Sequence, residues 1–294
     1  MSYTVESSSA INSKIEFDLN IVVEKVSTSL SGVHSILLGG GFGRGEGSVV
    51  VENGEVRIVN DYDIFVFVKE KNSKILVREI ELHLKQELEL PLFDLLVFEI
   101  GNIPVDQFLF DLSRENHLLY GKYPEDLIRI SSFYKPSIRD AQILFHNRVS
   151  AVLEMIFMKE IALQQGTKVV LACVDIHNII NENYAVKYAD KVECAFGGDV
   201  PQIVQDALMF KLKGIKYNLD KKKVVQYLHS TFSDLYLNSK CDNRFYYYLR
   251  YFLNMQFGRN FLKKYLNIIT IEIIIFRHST RFLKLAFRKL SKLK

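Results

Sequence analysis

Residues 61–68, Asp-Tyr-Asp-Ile-Phe-Val-Phe-Val, restrict the folds open to this chain more than any other stretch. From Ile64 onward an extended chain is apolar on both faces, the pattern of a central strand covered by helices on either side. Asp61 and Asp63 precede that run at i and i+2, so on a strand they project from one face. "LFDLLVFEI", from Leu92, reads as a second buried strand and carries Asp94 near its start. Acids set into apolar strands are costly unless they have a task or a partner.

The surrounding pattern is mixed. Ile15 to Val33 has helical spacing, "SILLGG" is a short apolar strand ending in glycines, and "SVVVENGEVRIV" is a hairpin about Asn53-Gly54. Asn-Gly tolerates the positive φ of a type I′ turn. "NSKILVREIELHLKQELEL" reads as an amphipathic helix, "PVDQFLFDLSREN" as helical and "YGKYPEDLIRISSFYKPS" as a connector. Helical patterns follow through Phe145–Ile156, Val169–Ile180, Gln202–Leu212, Lys222–Leu237 and Arg244–Tyr265.

The glycine stretch "GGGFGRGEG" between the first strand and the hairpin has several readings. A P-loop needs Gly-Lys-Ser/Thr, which does not occur here. A dinucleotide fingerprint needs GxGxxG, and Glu46 or Ser48 stands where the third glycine belongs. Glycines also let backbone N–H groups approach phosphate oxygens. Two carboxylates on one face repel unless a cation lies between them, and hard oxygen ligands of that kind suit Mg²⁺. Asp94 on a neighbouring strand would complete a two-metal site for displacement at phosphorus. The plain alternatives stay open. Asp61 and Asp63 also fit a strand opening after an Asn-Asp turn, Asp94 fits an acid paired with an arginine, and Arg44 fits either phosphate contact or pairing with Glu46.

"LLGGGFGRGEG", "NDYDIFVFV" and "FDLLVF", in that order, resemble the polymerase-β-like nucleotidyltransferase superfamily. Its signature is a hydrophobic strand, a glycine loop leading into Arg-Gly-Glu, an Asp-x-Asp strand and a later strand with one acid. The resemblance implies that Gly40 and Gly41, with Arg44, hold nucleotide phosphates. It implies that Asp61 and Asp63 ligate Mg²⁺, and that Asp94 is a third ligand that accepts the proton of the attacking hydroxyl. Gly41 stands where the family usually has serine, and the hairpin lengthens the gap from Gly41 to Asp61. The helical half, through Asn147-Arg148, is similar to nucleotidyltransferase-domain proteins found among polysaccharide-biosynthesis genes. That likeness makes Arg148, Lys168 and Asp175 candidates for an acceptor pocket, against the plainer reading of surface charges or internal ion pairs.

Composition narrows the remaining classes. Cys173, Cys194 and Cys241 form no CxxC pair and the seven histidines no HxxxH pair, which argues against a disulfide framework or a zinc site. The first twenty residues carry no apolar leader. The densest apolar run, Leu266–Phe276, contains Glu272 and is shorter than the roughly 20 residues a membrane helix needs. Net charge is +4, but residues 277–294 hold seven Lys or Arg and no acid, so the rest sums to −3. In that tail Phe282, Ala286, Leu290 and Leu293 fall on one helical face, with Arg281, Lys284, Arg288 and Lys292 opposite. The pattern fits peripheral contact with an anionic membrane, docking on another helix or nucleic acid, with nucleic acid least favoured. "RFYYYLRYF", from Arg244, fits a packed helix better than a base-stacking platform.

The expected architecture is α+β followed by α: an N-terminal nucleotidyltransferase mixed β-sheet flanked by helices over 1–134, an all-helical domain over 135–276, and a basic amphipathic tail over 277–294. The expected activity moves an NMP from an NTP, ATP by preference, to a hydroxyl or phosphate of a small molecule or sugar. It would release pyrophosphate, use two Mg²⁺ ions, and run in the cytoplasm or at the inner membrane face. A protein-nucleotidylylating enzyme of the toxin–antitoxin kind and a non-catalytic nucleotide-binding scaffold are the other readings.

Overall fold

A computed structural model describes residues 2–59, 61–90 and 92–235. The helix expected at Arg244–Tyr265, the run Leu266–Phe276, Cys241 and the basic tail lie outside the described residues. Contacts divide the chain into two units. The first comprises Met1–Pro136, Ala185–Cys194 and Leu208–Lys216, and the second the remaining segments from Ser137 onward.

In the first unit, helix α1 (Ser9–Ser29) begins earlier than its apolar spacing implied, because the Ser8 side chain accepts the Ile11 amide and caps it. It stops at Ser29, where Leu30 is already extended and Gly32, at φ 64°, turns the chain into β1 (Val33–Leu38). A single helical turn, α2 (Gly40–Gly43), follows. The hairpin β2 (Val49–Glu52) and β3 (Glu55–Ile58) turns on Asn53 and Gly54, both at positive φ. Then come β4 (Tyr62–Val68), α3 (Lys74–Glu87), β5 (Phe93–Glu99), α4 (Gln107–Arg114), β6 (His117–Gly121) and α5 (Glu125–Phe133).

The main sheet has the order β5-β4-β1-β6. The β4–β5 pair is parallel, with α3 as its crossover, and β1 runs antiparallel to both neighbours. Every residue of β4 except Asp63 is buried. Tyr62, Ile64, Val66 and Val68 join Ile15, Leu19, Val22 and Val26 of α1 and Ile80 and Leu84 of α3 in one cluster. Phe65 lies on the other face, 5.1 Å from the Phe108 ring of α4. Both faces of β4 are thus covered, as the apolar run required.

The segment expected as a connector differs from expectation. Its first two residues, Tyr120 and Gly121, close β6, the fourth strand, and Glu125–Phe133 form α5. Pro124 takes the cap position, Glu125 and Asp126 favour the first turn, and Leu127 and Ile130 bury an apolar face.

The second unit contains α6 (Ile138–Phe157), opened by a Ser137–Asp140 capping box, a 3-10 turn (Lys159–Ile161) and α7 (Ala162–Ile180). Helices α8 (Tyr188–Phe196) and α9 (Gln202–Lys213) each begin in one unit and end in the other, and α10 (Lys221–Ser233) completes the described elements. Inside the second unit α6 packs along α7, and a side chain at Gly166 would strike Leu219 and Met155.

Candidate active site

The parallel register sets Asp63 of β4 directly beside Asp94 of β5. With Asp61, one residue before β4, they bring one carboxylate oxygen each to within 4.8 Å of the others. Asp61 and Asp63 are half-buried and Asp94 is exposed. The crowding shows in the proton equilibrium of Asp63. Burial first, then the charges of Asp61 and Asp94, push its carboxyl up to about 7, against the opposing pull of Lys211 and Arg44. Three hard oxygen donors that repel one another when all are ionised form the donor set a divalent cation would relieve.

The glycine loop is built against those acids. The Gly39 amide donates to the Asp63 carbonyl at 2.9 Å, tying the loop to β4. Gly40 sits at φ 59°, and a β-carbon there would overlap Asp63 Oδ2 and come within 2.6 Å of its Cγ. No side chain fits between loop and carboxylate. At Gly41 a β-carbon would lie 3.3 Å from the Glu46 carbonyl, a closer approach than side chains ordinarily make.

Arg44 follows the helical turn and pairs with Glu46, its Nε 3.1 Å from Oε2. Its guanidinium lies 5.0 Å from the centre of the Tyr188 ring. Burial works against the Arg44 charge, but Tyr188, Glu46 and Asp111 together more than offset it and hold the guanidinium above its ordinary range. Of the two readings open from sequence, pairing with Glu46 is observed.

Residues far along the chain also belong to this site and were not found by sequence reasoning. Lys191 Nζ lies 5.2 Å and Lys211 Nζ 5.8 Å from the same Tyr188 ring. Lys191 is buried and stands 3.8 Å from Asp111 Oδ2. Three cations therefore lie within 6 Å of one aromatic ring, an arrangement favoured by the ring's quadrupole, and two of them, Arg44 and Lys211, act on Asp63. For Lys211 the one sequence signal was the basic end of α9, which by itself resembles any helix C-terminus, and Lys191 on α8 had none.

Behind the acids, strand alternation turns Tyr62 to the α1 face. Its hydroxyl lies 3.2 Å from Oδ2 of Asp18, a fully buried carboxylate that also accepts Lys14 Nζ at 2.6 Å. Among the acceptor-pocket candidates of the second unit, Arg148 on α6 and Asp175 on α7 both act on the buried Cys173 thiol, whose pKa burial pushes up to about 12. Lys168 is exposed and has no part in that group.

Compared by sequence, the chain matches no protein-family model and no curated protein. Among solved structures it resembles spectinomycin adenyltransferase from Enterococcus faecialis, determined with ATP and spectinomycin. The identity is 12%, the TM-score 0.50, and the match covers 76% of this chain and 98% of that one. A Shewanella oneidensis tri-AMPylated HEPN toxin in complex with its MNT antitoxin aligns over 40% of this chain and 85% of that chain, with TM-score 0.30 and 15% identity. A toxin–antitoxin structure with AMP-PNP aligns over 49% of this chain and 98% of that one, at 0.29 and 13%. The likeness to the spectinomycin enzyme is one of fold: a mixed four-stranded sheet flanked by helices, with a helical region after it, as in nucleotidyltransferases.

Proposed function

We propose that this protein is a Mg²⁺-dependent nucleotidyltransferase that moves an NMP from an NTP, ATP by preference, to an acceptor hydroxyl and releases pyrophosphate. The observation that carries the reading is a triad of carboxylates opposed to a cluster of cations around a glycine loop. That pairing of charges suits a metal–triphosphate, since either cluster alone would repel itself. Asp61, Asp63 and Asp94 would hold one or two Mg²⁺ ions, which neutralise phosphate charge and polarise the phosphorus–oxygen bonds.

The protein's own groups supply the rest. Backbone amides of the Gly40–Gly41 turn lie against the phosphates, where the missing β-carbons allow close approach. Arg44, Lys191 and Lys211 draw the triphosphate in and balance the charge that builds on the departing pyrophosphate. Asp94, the exposed member of the triad, takes the proton of the attacking hydroxyl. The acceptor oxygen bonds to the α-phosphorus, the bond from the α-phosphorus to the β-bridging oxygen breaks, and pyrophosphate leaves with its electron pair. The neighbour of the same fold was solved with ATP and spectinomycin. A small molecule or sugar is the acceptor class proposed here, with Arg148 and Asp175 among the residues to probe for its recognition.

Thermal shift with each NTP, with and without Mg²⁺, tests the proposal on wild type and Asp63→Asn. Metal-dependent stabilisation by a nucleotide, lost in the variant, is expected. Absence of any metal-dependent response to any nucleotide would refute it.

A further inference from the structure

Glu46 does more than pair with Arg44. The residue is 4% exposed, so its carboxylate is buried, a placement that is costly unless each oxygen is satisfied. Oε2 accepts Arg44 Nε, while Oε1 accepts the backbone amides of Tyr188 at 2.7 Å and Ala189 at 3.4 Å. Those are the first two residues of α8, so a negative group is matched to the positive end of the helix. A residue five positions past Gly41 thereby holds a segment more than 140 positions away. The held residue, Tyr188, is the one whose ring all three cations share.

We infer that Glu46 is a positioning residue for polyphosphate: by fixing the start of α8 to the glycine loop it assembles Arg44, Lys191 and Lys211 into one cradle. The inference rests on the functional reading above for its biological ligand, but the cradle itself is testable without turnover. Direct electrostatics and positioning predict opposite signs. Removing a negative charge beside a cationic cluster should tighten polyanion binding if Glu46 acts only as a charge. It should weaken binding if Glu46 holds the cluster together.

The probe is inorganic tripolyphosphate without metal, measured by calorimetry on the full chain at fixed ionic strength. Wild type should bind it. Glu46→Gln, folded by circular dichroism, should bind at least about tenfold more weakly, the loss expected from one buried charge-assisted hydrogen bond. Glu46→Asp keeps the charge but shortens the reach to α8, so it too should weaken binding; it serves if the glutamine variant does not fold. Lys211→Met should cost wild type more affinity than it costs Glu46→Gln, a non-additivity that a purely structural defect would not produce. Unchanged or tighter binding in either folded Glu46 variant, or no binding by wild type, overturns the inference. Binding that behaves as expected in a protein with no nucleotidyl transfer would leave the cradle standing and remove the enzymatic reading instead.

Discussion

Replacing Gly40 by alanine should separate the glycine's conformational role from its contact with the acid triad. The backbone sits at φ 59°, where a β-carbon costs about 1 kcal/mol. The new methyl would also overlap Asp63 Oδ2 and approach Cγ to 2.6 Å, well inside the roughly 3.5–4.0 Å at which carbon atoms pack. The carboxylate must swing aside by about 1 Å, and forced repacking of that kind costs about 1–3 kcal/mol. The expected destabilisation is therefore about 2–4 kcal/mol. Affinity for Mn²⁺, used as a probe for Mg²⁺, should fall at least about tenfold, because a ligand displaced by about 1 Å no longer reaches the ion. Gly54→Ala is the matched control, since it has φ 82° and nothing within 4 Å of the added carbon. It should lose about 1 kcal/mol and bind metal normally. Urea unfolding and Mn²⁺ calorimetry on both variants read the two quantities. Wild-type metal affinity in Gly40→Ala, or equal destabilisation of the two variants, would refute the reasoning.

Three further outcomes follow from buried polar groups. Asp63 is raised from 3.8 to about 7, so between those values the fold retains a proton that the unfolded chain has lost, and stability declines as pH rises through that window. Without metal, Asp63→Asn should thus exceed wild type at pH 8 by about 2 kcal/mol, after allowing for solvent screening at a half-buried site. Added Mg²⁺ should reverse the order in thermal melts. Tyr62→Phe removes a donor from buried Asp18 and should cost about 1–3 kcal/mol. Because Tyr62 faces away from the triad, Mn²⁺ affinity should stay within about threefold of wild type; a larger loss contradicts the alternation of β4. Burial lowers His146 from 6.5 to about 4, so the folded state keeps it neutral while the unfolded chain gains a proton below 6.5. Stability should fall by about 2 kcal/mol from pH 7 to pH 5 through this group. Urea midpoints should show a steeper decline in wild type than in His146→Gln.

The parts of the site carried by local pattern were legible in the sequence. Ile64–Val68 read as a central strand because the run is short, rich in β-branched and aromatic residues and apolar on both faces. Asp61, Asp63 and Asp94 stood out as acids in such strands, and Asn53-Gly54 announced its turn by residue type alone. What stayed hidden depended on distance or on context. Strand β6, "HLLYG", is a half-exposed edge that needs β1 as its partner, and its five residues alternate too little to mark it. Lys191 and Lys211 look like ordinary basic residues of amphipathic helices until Tyr188 is held by Glu46. Gly40 was noticed as a glycine that could admit phosphates; that the Asp63 carboxylate fills the space of its missing side chain could not be known before the loop was folded.

The hairpin β2–β3 forms its own two-stranded sheet and pairs with no strand of the main one. It lies between the glycine loop and the first acid along the chain, yet the loop is bonded to β4 directly, through Gly39 and the Asp63 carbonyl. Chain length across this gap is therefore free to drift, by lengthening or loss of the hairpin, without moving the contact between the loop and Asp63. The pairing of β4 with β5 has no such freedom, because a slip of one residue would send Asp94 to the opposite face. Relatives of this protein should then be sought by tolerating any gap before Asp61 and almost none in the pairing that follows it.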